Sequence, residues 1–79
     1  MTDAHNPDVT IDSRDASCPG PLMDLIGKVK GLGSGTVVEL QTTERNSTTD
    51  VPEWLEKAGH DLVEIEERDE YWSIFLEVN

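Results

Sequence analysis

Thiols are nearly absent from this 79-residue chain: Cys18 is its one cysteine. A lone cysteine forms no intramolecular disulfide and makes no multi-cysteine zinc site. Basic residues are also scarce, 6 Lys and Arg against 17 Asp and Glu, for a net charge of −11. That balance repels phosphate backbones and anionic membranes, so direct binding to nucleic acid or to a membrane is not expected, and a protein partner is. No apolar run approaches the roughly 20 residues of a membrane span. Residues 1–8 are polar and acidic, without the basic start and apolar stretch of a secretory signal. The expectation is a soluble, cytoplasmic protein with one domain over residues 1–79, of which residues 1–8 form a flexible tail. There is no internal repeat and no low-complexity stretch. A glycine-rich phosphate loop is lacking too, since Gly31, Gly33 and Gly35 do not follow a strand and open a helix.

The acids are dispersed along the chain, which fits an ordinary solvated surface. It fits equally a halophilic adaptation, in which a salt-rich cytoplasm screens the self-repulsion; the small number of lysines (Lys28, Lys30, Lys57) leans that way.

What is present reads as six elements. Val9, Thr10 and Ile11 are β-branched and predict a short strand, with residues 12–17 as a loop. Leu22, Leu25, Ile26, Val29 and Leu32 follow at helical spacing and predict a helix over about residues 19–30, ended by Gly31 or Gly33 in the left-handed conformation. Val37, Val38 and Leu40 mark a strand over residues 36–42. Asp50-Val51-Pro52-Glu53 reads as a helix start, with Asp50 as N-cap, Pro52 in the first turn and Gly59 as C-cap. Strands are predicted over residues 60–66 and 71–78, the last with Trp72, Ile74, Leu76 and Val78 on one face. The order β-α-β-α-β-β makes an α+β fold: a two-layer sandwich with both helices on one face of a four-stranded mixed sheet.

Cys18 is the strong nucleophile candidate. It stands at the predicted start of the first helix, where unpaired N–H groups and the helix dipole stabilise a thiolate or an anionic persulfide. Pro19 and Pro21 stiffen the turn and support the site by holding sulfur outward. The competing reading is a buried, inert cysteine. His60 reads as a capping or surface residue, Asp12 and Asp50 as loop and cap residues, and Trp54 and Trp72 as core. No metal site and no cofactor are expected, because no ligand spacing accompanies Cys18 and His60.

The segment from Thr10-Ile11-Asp12 to Cys18-Pro19-Gly20-Pro21-Leu22 resembles the signature of the TusA (SirA-like) sulfur carriers: a short strand, an Asp, then Cys-Pro-x-Pro-Leu. Asp50-Val51-Pro52-Glu53-Trp54 is similar to that family's Asp-Ile-Pro-x-Trp, and Gly59-His60-Asp61-Leu62 to its Gly-His-x-Leu. The resemblance runs from about Val9 to Val78. It implies a βαβαββ sandwich like the C-terminal domain of bacterial translation initiation factor three. It also implies a cytoplasmic monomer whose Cys18 accepts sulfur from a cysteine desulfurase or a rhodanese-type donor and passes it to an acceptor sulfur-relay protein, without a cofactor. The pathways so implied include tRNA thiolation, molybdenum cofactor assembly and sulfur oxidation. Two departures stand out. Asp15 replaces the usual Gly three residues before the cysteine, and its carboxylate would oppose a thiolate. Thr43-Glu44-Arg45-Asn46 replaces the usual Asp-Pro pair with one extra residue. The alternative function is a regulatory or protein-interaction module of the same fold with a redox-sensing or structural cysteine.

Overall fold

The computed structural model describes residues 7–14 and 20–79. Its elements are β1 (Val9–Ser13), α1 (Gly20–Val29), β2 (Val37–Thr42), α2 (Ser47–Ala58), β3 (Asp61–Glu67) and β4 (Trp72–Glu77). The strands form one mixed sheet in the order β1-β2-β4-β3. β1 runs parallel to β2, whereas β4 is antiparallel to both β2 and β3. A parallel pair needs a crossover, and α1 provides it.

Alternation along the strands selects the face that the helices cover. Val38, Leu40, Ile74 and Leu76 lie on that face and are fully buried, with Leu25 and Val29 of α1, Val51 and Leu55 of α2, and Val78. Val9, Ile11, Leu22, Leu32, Trp54 and Ile65 seal its margin. Each buried Leu or Ile contributes on the order of 1.5–3 kcal/mol by leaving water, so this small cluster supplies most of the drive to fold.

Several features differ from the sequence reading. β1 continues through Asp12 and Ser13, because its parallel ladder extends to Asp12–Gln41 and Ser13–Thr42. At the other end, the Asp8 amide donates to the Val37 carbonyl at 2.7 Å and the Asp8 carboxylate accepts from the Val37 amide at 3.1 Å. Residues 1–6 of the expected tail lie outside the described residues.

α2 begins at Ser47, so Asp50 is not its cap and Pro52 lies inside the helix. The turn before it explains why. The amides of Ser47, Thr48 and Thr49 donate to the carbonyls of Glu44, Arg45 and Asn46, at 3.0, 3.0 and 3.1 Å. These bonds satisfy donors that a capping side chain would otherwise serve, and Asn46 makes no side-chain cap bond. Buried Ser47, Val51 and Leu55 then form an i, i+4, i+8 stripe against the sheet. Asp50 falls in the first turn, where its negative charge suits the dipole.

α1 ends without a left-handed residue. The amides of Gly31 and Leu32 bond back to Lys28 and Val29, and neither Gly31 nor Gly33 has positive φ. Among the described residues the left-handed positions are Gly35, in the turn into β2, and Gly59, at the end of α2. At Gly59 the expectation holds: φ is 85°, the Gly59 amide bonds to Glu56 and the His60 amide to Leu55, the two bonds of a Schellman motif.

β4 is buried on both sheet faces. Ser73 and Phe75, on the face away from the helices, are 0% and 1% exposed. The strand is flanked by β2 and β3, and the Ser73 hydroxyl donates to Glu39 Oε2 at 2.8 Å on that face. Trp54 and Trp72, by contrast, are only half-buried.

Candidate functional site

The parallel crossover fixes where the chain leaves β1 and where α1 begins. Cys18 and Pro19 fall between those points and lie outside the described residues; Pro21 is the second residue of α1. The described residues on either side are tied down by four interactions.

Ser13, the last residue of β1, is 2% exposed, and its hydroxyl donates to Asp24 Oδ2 of α1 at 2.8 Å. That bond fastens the end of the strand to the second turn of the helix. Thr43 Oγ1, just beyond β2, donates to the Arg14 carbonyl at 2.8 Å. Arg14 reaches back to Asp12 with two parallel bonds, Nε to Oδ1 and Nη2 to Oδ2, each 2.9 Å, while its amide donates to Oδ1 at 3.2 Å. The guanidinium also lies over the Tyr71 ring, 5.4 Å from its centre. This bidentate pairing lowers the Asp12 pKa to about 2, the side-chain bond from Arg14 being the main cause and the amide bond the next. Asp12 therefore stays ionised at any physiological pH, which rules it out as a proton donor there.

On the helix side, Leu25 and Val29 anchor α1 in the core, and Leu22 packs at its margin. Lys28 occupies the last turn and no acid the first. A helix so fixed presents its amide end and positive dipole toward the chain that precedes Gly20. The arrangement suits an anionic group carried just ahead of α1.

His60 takes no part in this end of the fold. Its Nδ1 accepts from the Asn79 amide at 3.1 Å, and its ring lies 5.5 Å from that of Trp54. Among the described residues, no group of three or more His, Cys, Asp or Glu is placed to hold a metal ion. No helix among them is long and apolar enough to cross a membrane.

Ser13, Arg14, Asp24 and Tyr71 were not singled out from the sequence, and Thr43 was noted only as part of the departure at residues 43–46. Asp12 and Arg14, two apart in an extended stretch, carried a readable signal because such residues share a face. The Ser13–Asp24 bond spans a turn and a crossover, and neither residue type marks it.

This frame is a mixed βαβαββ sandwich whose one cysteine, Cys18, falls in sequence between β1 and α1. The model of the family described as "Sulfurtransferase TusA" matches residues 9–78, and the chain belongs to that family. A protein described as "Putative sulfur carrier protein" from Archaeoglobus fulgidus is 44% identical over 68 residues, covering 86% of this chain and 93% of that one. The sulfur carrier protein TusA of Pseudomonas aeruginosa is 33% identical over 63 residues, covering 80% of each. Among solved structures, a SirA-like protein from Desulfitobacterium hafniense superposes with a TM-score of 0.80 at 23% identity, over 90% of this chain and 97% of that one, which shows the shared fold. Membership supports a sulfur-carrier role, with partners of two kinds: proteins that give sulfur and proteins that take it.

Proposed function

We propose that the protein carries sulfane sulfur as a persulfide on Cys18, with Pro19 and Pro21 holding that turn stiff. One observation carries the reading: the chain's only thiol stands two residues ahead of α1, in a chain that matches the sulfurtransferase family over nearly its whole length. In the loading step the Cys18 thiolate attacks the outer sulfur of a donor persulfide. A new S–S bond forms at Cys18, the donor's S–S bond breaks, and the donor cysteine leaves as a thiolate. In delivery an acceptor thiolate attacks the outer sulfur now on Cys18, and Cys18 leaves as the thiolate. Each step exchanges one S–S bond for another, so no external oxidant or reductant is needed.

The chain's contribution is electrostatic and geometric. The amide end and positive dipole of α1 favour both the thiolate and the anionic persulfide. Pro21 lacks an N–H, which leaves those of neighbouring residues to serve the anion. Asp12 and Arg14 neutralise each other close to the exit of β1. In this reading the donor is a cysteine desulfurase or a rhodanese-type protein. The acceptor is a relay protein of a pathway such as tRNA thiolation, and the carrier acts as a cytoplasmic monomer.

The test is loading by a cysteine desulfurase with cysteine, or by a rhodanese-type donor, followed by intact mass. The wild type gains the mass of one sulfur atom, and reduction removes it. Cys18→Ser folds with an unchanged circular dichroism spectrum and gains nothing. A wild-type chain that accepts no sulfur from either donor class would hand the case to the interaction-module reading.

A further inference from the structure

β3 is an edge of the sheet; among the described residues it pairs with β4 alone. Edge strands offer unpaired backbone groups, and proteins usually mask them. Here two consecutive aliphatic residues of the edge, Leu62 and Val63, are each 43% exposed. A register shift between Leu62 and Glu64 breaks the alternation of the strand, which leaves both side chains open to water. The same seven residues carry Asp61, Glu64, Glu66 and Glu67 and no base. At the far end of β3 the surface drops into a cleft of about 750 Å³ lined by Arg14, Thr43 and residues 67–71. Both arginines of that cleft already hold carboxylates outside it, Arg14 on Asp12 and Arg68 on Glu66, each at 2.9 Å. Glu67, Asp69 and Glu70 therefore set its charge.

We propose that the β3 edge docks an extended, basic segment of a partner protein, with Lys or Arg alternating with aliphatic residues, as a fifth strand. Its aliphatic side chains cover Leu62 and Val63, its cations face the carboxylates of β3, and one cation enters the cleft beside Asp69 and Glu70. Charge selects this occupant over a second copy of the chain, because even with Arg68 on Glu66 the β3 edge carries an excess of carboxylates, Asp61 and Glu67 among them, and two such edges would repel. Strand addition supplies affinity through the main chain, and the alternating side chains supply specificity. Arg14, Thr43 and Tyr71 of the cleft also hold the end of β1, but docking needs no sulfur on Cys18, so the proposal stands or falls separately from the persulfide reading.

The probe is a capped hexapeptide alternating lysine and valine, titrated into the ¹⁵N-labelled full chain. Amide shifts confined to β3 and the residues of its cleft are expected, with binding that weakens as salt rises to about 0.5 M. Leu62→Ser/Val63→Ser, both at exposed positions, is expected to weaken binding about tenfold. Glu67→Lys weakens it independently of those two side chains. Equal shifts with hexalysine would reduce the effect to bulk charge and overturn the proposal. So would shifts on another surface, no shifts at all, or concentration-dependent β3 shifts without peptide, which would identify a second copy as the occupant.

Discussion

The Ser13–Asp24 bond makes a quantitative prediction about how the end of β1 is held to α1. Ser13 is 2% exposed and donates to Asp24 at 2.8 Å, while Asp24 stands at the surface. The two ends of the bond are therefore unequal. Removing the hydroxyl in Ser13→Ala returns the carboxylate to water at little penalty and costs about 1 kcal/mol, the ordinary net value of a hydrogen bond. Removing the carboxylate in Asp24→Ala leaves a buried hydroxyl without its acceptor, at about 2 kcal/mol. Alanine's better helix propensity in α1 returns roughly 0.6 kcal/mol of that. The single costs thus lie close together, and the double variant separates them. With no hydroxyl left to strand, Ser13→Ala/Asp24→Ala is expected to be no less stable than Asp24→Ala alone, for a coupling of about 1 kcal/mol. Urea denaturation at fixed salt measures all four proteins. In a domain of this size about 1 kcal/mol moves the thermal midpoint by roughly 4–8 °C, so a melting series serves as a second reading. Strictly additive costs would show that the bond does not hold in solution and that the crossover is secured by the core alone.

Four further outcomes are expected. With a net charge of −11, the thermal midpoint rises between dilute buffer and molar salt; a flat or falling midpoint would refute self-repulsion as a destabilising factor. The Asp12 pKa, lowered in the folded state from 3.8 to about 2, gives stability that is fully present above 3.8 and lost as pH falls toward 2. Replacing the partner in Arg14→Gln should return the Asp12 titration toward 3.8 by carboxyl NMR. Gly59→Ala should cost on the order of 1–2 kcal/mol, because φ is 85° and a Cβ there meets no neighbour, so the penalty is conformational; an unchanged midpoint would contradict it. Asp15→Gly should speed alkylation of Cys18 near neutral pH, and an unchanged rate would show that the Asp15 charge does not restrain the thiol.

Periodicity made most of the fold readable. The stripe Leu22, Leu25, Ile26, Val29 marked α1, and Gly59 marked the end of α2 because few other residues accept its conformation. Polar residues hid the rest. Asp12 and Ser13 look like loop, yet pairing with Gln41 and Thr42 keeps them in the sheet. Asp50-Val51-Pro52-Glu53 carries every local sign of a helix start, but three turn bonds ahead of it and the burial of Ser47 draw the helix back to residue 47. Local preference of about 1 kcal/mol is outweighed there by packing against the sheet. At the candidate site, the Cys18-Pro19-Gly20-Pro21 motif ahead of a helical apolar stripe pointed to Cys18. The tethers around it, Ser13 to Asp24 and Thr43 to Arg14, join residues 11 and 29 apart, and such pairings arise only from topology.

The sheet order also dictates when the protein can assemble as it is made. β4 lies between β2 and β3, yet it is the last of these four strands to be synthesised. While a ribosome still holds residues 72–77, β1, α1 and β2 can gather, but β3 has no strand to join and the half-built core lacks Ile74 and Leu76. Closure of the sandwich must wait for residues 72–77 and then occur in one cooperative step. A nascent chain stalled before β4 would expose Val38, Leu40 and Leu55 to chaperones and proteases, so a stop codon placed ahead of residue 72 should remove the protein rather than yield a weakened one.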